Sequence, residues 1–239
     1  GVYSYYQSSG FTMRCMGRHG SINVKTALAK SCNVFFAESG RRLGIEPMDI
    51  YARMFGLGIK TGVEVYESQG VLAGPDFCKE MGSIWYDGNT SQAAIGQSDN
   101  MFTPLQLATY TAVIANGGNR YKTHVIKEIK NYSREETIEK KEPELVEHVS
   151  VSDENLNIVK EGMREVAKTG TAADFANYKI PIAAKTGTAE NVGSDHTTFI
   201  CFAPYDNPKY AISVVIEHGS SGKWSKNVAR DILDACFAS

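Results

Sequence analysis

The sequence has almost no net charge, no long apolar run and no paired-cysteine motif, and each absence removes a class of function. Lys and Arg total 25 against 27 Asp and Glu, a formal charge of −2. That gives no electrostatic reason to expect nucleic acid or an anionic membrane as the main partner, and leaves small ligands and protein surfaces. The longest apolar runs, Ile200 to Pro204 and Tyr210 to Ile216, fall far short of the ~20 residues that cross a bilayer. The first residues lack the charged and apolar regions of a signal peptide. No internal repeat and no low-complexity linker interrupts the chain. The five cysteines, Cys15, Cys32, Cys78, Cys201 and Cys236, are odd in number and show no CxxC spacing, so they leave the redox compartment open.

What is present is ordinary material for a packed core. A chain of 239 residues with 42% hydrophobic and 22% charged residues reads as one compact domain over 1–239. From Ile22 to Ser31 the positions Val24, Ala27 and Leu28 have helical spacing, and a second helix is expected from Val34 to Leu43 before Gly44. Ser31-Cys32-Asn33 lies between them. The glycine-rich stretch Phe55 to Gly62 reads as a loop. A further helix follows Thr103-Pro104, with Thr103 as cap and Pro104 in the first helical position, and ends at Asn116-Gly117-Gly118. Tyr132 to His148, dominated by Glu and Lys, reads as a solvated hairpin or exposed loop.

The tetrapeptide KTGT occurs twice, at Lys168 to Thr171 and at Lys185 to Thr188, and context separates the copies. The first ends a stretch in which Leu156, Val159, Met163 and Val166 recur every three or four residues behind a capping Ser152. It reads as a frayed helix end with Gly170 as the stop. The second follows a β-prone apolar run, Tyr178 to Ala184, and precedes two strand-like segments, Thr197 to Phe202 and Lys209 to Glu217, joined at an Asn207-Pro208 turn. Lys185 to Thr188 are therefore expected on or just beyond a strand of a small antiparallel sheet, with a final helix from Lys226 to Phe237 over one face. A strand edge suits anion binding, because backbone N–H groups are free there and side chains alternate. Lys185 and the Thr186 or Thr188 hydroxyls could face an anion, while Gly187 allows close approach to the backbone.

A lone KTG is a weak signal, but Ser31-Cys32-Asn33 supplies S-x-N well upstream, and the pair belongs to the signature of penicillin-binding proteins and serine β-lactamases. On residue type alone Ser31 and Asn33 also suit helix capping. The stretches SINVKTALAKSCNVFFAESGRRLG, FGLGIKTGV, AAIGQSDNMFTPLQLATYTAVIANGG, IAAKTGTAE and FICFAPYDNPKYAISVVIE together resemble the later part of a penicillin-binding transpeptidase domain, most like a class B enzyme. The resemblance implies an α+β fold with α/β/α layers, an antiparallel sheet flanked by helices and incomplete at its N-terminal side. It also implies a D,D-transpeptidase that cross-links peptidoglycan stem peptides through a serine acyl-enzyme and is acylated by β-lactams. Ser31 would relay a proton to the leaving amine, Asn33 would orient the substrate amide, and Lys185 would keep the local field positive. Thr186 and Thr188 would bind the substrate carboxylate, with the Thr188 N–H as half of an oxyanion hole. Gln97 would line the pocket, although on residue type alone a Gln near a turn also suits plain solvation.

One departure matters. The family's S-x-x-K precedes its S-x-N, yet only 30 residues precede Ser31 and none of them reads S-x-x-K. Ser220-Ser221-Gly222-Lys223 matches the text but falls in a Gly/Ser turn after the last strand. The expectation is that the nucleophile and its lysine lie on a preceding segment, with an N-terminal anchor holding the protein at the extracytoplasmic face of the bacterial membrane. Implied partners are the stem peptide, β-lactams, that preceding part of the domain and other cell-wall synthesis proteins, not nucleic acid. The runner-up is a non-catalytic module that binds stem peptide or a cell-wall partner. A serine β-lactamase is disfavoured, since the chain nearly fills such an enzyme's length without its nucleophile.

Cys15, His19 and Cys32 form C-x3-H-x12-C, a set that suits zinc, with Asp195 or His196 as the expected fourth ligand. Two buried thiols, a Cys15–Cys32 disulfide or a surface His19 are the alternatives. Trp85, Tyr86 and Trp224 suit either a glycan or peptide groove or plain packing.

Overall fold

The computed structural model describes residues 2–4 and 12–238. Two short paired strands, β1 (Val2–Tyr3) and β2 (Met13–Arg14), lead into α1 (Val24–Ala29), α2 (Asn33–Leu43) and α3 (Ile45–Met54). The short helices α4 (Pro75–Glu80) and α5 (Asp87–Ala93) precede α6 (Pro104–Ala115). Four short strands follow, β3 (Asn119–Tyr121), β4 (Glu128–Lys130), β5 (Thr137–Lys140) and β6 (Leu145–His148), then α7 (Asp153–Lys168). The chain closes with β7 (Ala183–Ala189), β8 (His196–Ala203), β9 (Tyr210–Ile216) and α8 (Gly222–Cys236). Among the described residues no helix is long and apolar enough to cross a membrane.

Local chemistry explains most of these boundaries. Thr103 accepts from the Gln106 N–H and the Gln106 side chain returns to the Thr103 N–H, a reciprocal cap with Pro104 in the first turn. Gly117 and Gly118, at φ 83 and 94, provide the left-handed backbone that ends α6. Ser152 caps α7, whose buried stripe holds Leu156, Met163 and Val166. The expected strand over Tyr178–Ala184 is mostly absent, because only Ala183 and Ala184 belong to β7. Pro181 has no N–H for a ladder, and Tyr178 is drawn away by its hydroxyl, which donates to the Asp234 carboxylate at 2.9 Å. The strand instead contains all of Lys185–Thr188. The last helix begins at Gly222, four residues before the expected Lys226, because Ser221 caps it.

The main sheet is antiparallel with order β7-β8-β9, and Lys185 pairs with Ile200, which pairs with Ser213. Alternation gives it two apolar faces. Ala184, Phe199, Cys201, Ile212 and Val214 pack with Phe175 and with Ala229 and Leu233 of α8. On the other face Ala183 and Phe202 meet Ile114 and Ala115 of α6 and Met163 of α7. Sheet and helices therefore form the layered α+β arrangement. The Glu/Lys-rich stretch forms an exposed β4–β5 hairpin, while β6 returns to pair with β3. Among the described residues β7 pairs only with β8, so its other edge is open to the cleft beside α1 and α2.

Candidate active site

Ser31 sits where α1 ends. Its N–H donates to the Leu28 carbonyl at 3.1 Å and the Cys32 N–H to the Ala27 carbonyl at 2.9 Å, which hold Ser31 at φ 49. That left-handed conformation is uncommon for serine. Asn33 opens α2, and its Nδ2 donates to the Arg14 carbonyl at 3.2 Å. Opposite them, half-buried Lys185 donates from Nζ to Ser31 Oγ at 2.8 Å and to the Thr186 carbonyl at 2.6 Å. Burial strips water from this ammonium, whose two partners are neutral oxygens, and pushes its pKa down to about 8. It remains mostly cationic at neutral pH.

Just before β7 the Ile182 carbonyl accepts from Arg164 Nη1, and within the strand the Thr186 and Thr188 carbonyls accept from the side chains of Lys185 (Nζ) and Gln97 (Nε2), the last at 3.1 Å. A strand's N–H and C=O groups point alternately to its two sides, so the Thr188 N–H also faces the open edge. Thr186 and Thr188 share the face opposite Lys185, yet all of them line one cleft with Ser31, Asn33, Gln97 and Thr171. Gly187 faces its neighbour closely, since a Cβ there would collide with Thr198 Oγ1 unless that hydroxyl moved. The close approach is thus first to β8.

Cys15, His19 and Cys32 come together. Their ligand atoms lie within 4.8 Å of one another, with Cys15 Sγ at 3.5 Å from His19 Nδ1 and 3.8 Å from Cys32 Sγ. All five cysteines are free thiols, so the Cys15–Cys32 disulfide is not formed. Burial opposes ionisation of Cys15, but backbone N–H bonds from Gly17 and Asn33 hold its thiol below the ordinary value, whereas burial raises Cys32. The expected fourth ligands do not join them. Asp195 lies in the β7–β8 connection and His196 opens β8, where its Nδ1 accepts the His218 N–H at 2.9 Å and the two rings meet edge to face.

The family model for the penicillin-binding protein transpeptidase domain matches residues 3–234. The chain belongs to this family. It is 32% identical over 234 residues to the peptidoglycan D,D-transpeptidase MrdA of Acinetobacter baumannii, covering 90% of this chain and 34% of that protein. It is 31% identical to penicillin-binding protein 2A of Bacillus subtilis, again over 91% of this chain and 34% of the relative. It therefore spans about a third of the length of these curated relatives. The fold is similar to that of PBP2 from Pseudomonas aeruginosa in complex with WCK 5153, with TM-score 0.83, 29% identity and coverage of 96% of this chain and 52% of that one. PBP2 from Helicobacter pylori, solved in complex with MreC, gives TM-score 0.79 and 30% identity over 96% of this chain and 43% of that chain.

Within this penicillin-binding transpeptidase fold, Gln97 lines the cleft and is bound to the Thr188 carbonyl. One feature escaped sequence reasoning. Thr171, the last residue of the first KTGT, reaches the second, its Oγ1 lying 2.6 Å from Thr186 Oγ1. The textual S-x-x-K serves otherwise: Ser221 caps α8, Ser220 donates to the His218 carbonyl at 3.4 Å and Lys223 lies over the Trp224 ring. Trp85 Nε1 donates to Thr90 at 3.3 Å, while Tyr86 and Trp224 are exposed.

The depressed Lys185 pKa has a signed consequence. Between about 8 and the ordinary 10.5 the unfolded chain binds more protons than the folded one, so this lysine makes stability rise with pH across that window, and its penalty is fully present below it. Denaturation midpoints measured from pH 7 to 10.5 are expected to show a rising component that Lys185→Met removes. An identical pH dependence in the variant contradicts the assignment.

Proposed function

We propose that this chain forms the S-x-N and K-T-G part of a peptidoglycan D,D-transpeptidase. The observation that carries the reading is the hydrogen bond from Lys185 to Ser31 across a cleft edged by an open β-strand. In the proposed reaction a serine hydroxyl, on a segment outside this sequence together with its lysine, attacks the carbonyl between two terminal D-alanines. Its proton passes to the departing D-alanine amine, and an amine from a neighbouring strand later takes the acyl group from the serine.

The residues of this chain have distinct parts in that reaction. Ser31 Oγ accepts from Lys185, which leaves its own O–H to donate into the cleft and so to relay the proton to the leaving amine. Asn33, at the start of α2, orients the substrate amide. Lys185, cationic near neutral pH, favours the substrate carboxylate, to which the Thr186 and Thr188 hydroxyls donate. The outward Thr188 N–H is one oxyanion donor. The same cleft accepts β-lactams, which present a carboxylate beside a reactive carbonyl. By the company of its relatives, the protein works at the outer face of the bacterial membrane with other cell-wall synthesis proteins.

Cys15, His19 and Cys32 fit zinc as a structural ion that fastens the segment before α1 to the start of α2. Two sulfurs at about 2.3 Å from a tetrahedral zinc stand about 3.8 Å apart, and a sulfur and a nitrogen about 3.5 Å; Cys15 stands at those separations from Cys32 and His19, and His19 and Cys32 lie within 4.8 Å of each other. The ion has no part in the acyl transfer.

Two measurements test these readings. The full-length protein is expected to take a covalent penicillin label, with Ser31→Ala and Lys185→Ala slowing acylation by about 10²- to 10³-fold while leaving the fold intact. A full-length protein that takes no label contradicts catalysis and favours a non-catalytic stem-peptide binder. Protein purified without added zinc is expected to hold about one equivalent, lost in Cys32→Ser; metal-free protein with reactive Cys15 and Cys32 thiols contradicts the zinc site.

A further inference from the structure

The first KTGT is left over once the second is placed in the cleft, and its members part company. Lys168 is exposed and pairs with Glu165 on its own helix. Gly170 and Thr171 do otherwise. A Cβ on Gly170 would collide with the Ala29 carbonyl oxygen and lie 2.8 Å from Val166 Cα, so only glycine lets the chain leaving α7 lie against the end of α1. The Thr171 N–H then donates to that same Ala29 carbonyl at 3.2 Å. Its carbonyl accepts from Lys226 Nζ at 3.5 Å, and Lys226 is itself paired with Asp174 at 2.6 Å. With its backbone fixed between α1 and α8, Thr171 directs its hydroxyl at Thr186, 2.6 Å away, and lines the cleft beside it.

We infer that Thr171 is a positioning residue that sets the Thr186 hydroxyl for the substrate carboxylate. A hydroxyl has one proton to give and two lone pairs to receive. When an anion occupies the cleft, Thr186 donates its proton to the anion, and the proton in the Thr171–Thr186 contact must then come from Thr171. The chain Thr171 O–H to Thr186 O–H to carboxylate polarises in one direction, and each bond strengthens the next. Without Thr171 the Thr186 hydroxyl is free to rotate toward other acceptors, including backbone carbonyls, so recognition of the anion weakens while the chemistry at Ser31 and Lys185 is untouched. The first KTGT thus contributes its glycine and last threonine to the site formed by the second.

This inference rests on the transpeptidase reading, and acylation of the full-length protein by a carboxylate-bearing penicillin tests both separately. Thr171→Val, which keeps the side-chain volume, is expected to raise the dissociation constant of the pre-acylation complex on the order of tenfold, with the acylation step itself changed less than about threefold. Thr171→Ser is expected to restore most of the affinity. In Thr186→Val the further Thr171→Val change is expected to have no added effect, because the two hydroxyls act as a unit. Thr171→Ala replaces the valine variant if the latter does not fold. A wild-type dissociation constant in the hydroxyl-deleted variant, or losses that multiply in the double variant, overturns the positioning role and leaves the transpeptidase reading standing. Absence of any label on the wild-type protein overturns both.

Discussion

The site depends on one contact made across 154 positions of chain, the hydrogen bond from Lys185 to Ser31. Neither partner could be held there by its own element. Ser31 stands in a left-handed turn because α1 and α2 meet with a single break between them, and Lys185 stands on an edge strand whose other side is locked to β8. What brings the two elements together is apolar burial remote from the contact. Gly162 of α7 lies against Leu28 of α1, and Met163, Val166 and Ala167 of α7 fill both cores beside β7. Helix α7 thus helps fix the distance between serine and lysine from beneath, through Gly162 against Leu28 and its apolar stripe beside β7.

The electrostatics follow from that geometry. An ammonium whose hydrogen-bond partners are neutral oxygens carries a desolvation cost that a carboxylate partner would offset, and the downward shift of Lys185 is its expression. The cost has a use. In the proposed transpeptidase, a cation that lacks an anionic partner among the described residues is complementary to an anion brought by the substrate, and the edge of β7 adds hydroxyls and a backbone N–H to the same cleft. Gly187 and Gly170, each closely facing a neighbouring oxygen, let the strand and the α7 terminus approach closely enough for those groups to converge.

Much of this was legible in the sequence where the signal was local. Thr103, Pro104 and Gln106 announce α6, and the stripe from Leu156 to Val166 announces α7, because capping and amphipathic spacing are properties of a few adjacent residues. Helix α3 was not legible. It starts on Gly44 without a side-chain cap and has no fully buried residue, so neither its start nor its face is marked. The start of β7 was misplaced because Tyr178–Ala184 reads as β-prone until Pro181 and the Tyr178–Asp234 bond are taken into account. Thr171 reads in the sequence only as part of a helix end, since a sequence shows what a residue follows but not what it leans against. Asp195 and His196 follow the K-T-G closely in sequence, but His196 opens β8 and meets His218, while the Asp195 carbonyl accepts from the Ser220 N–H, both away from the metal cluster.

The most direct test of the central claim is a double-mutant cycle on penicillin acylation of the full-length protein, using alanine at positions 31 and 185 alone and together. If Ser31 and Lys185 act as one hydrogen-bonded unit, the double variant acylates about as slowly as the worse single variant. Losses that multiply would show the two side chains acting independently and would contradict the account.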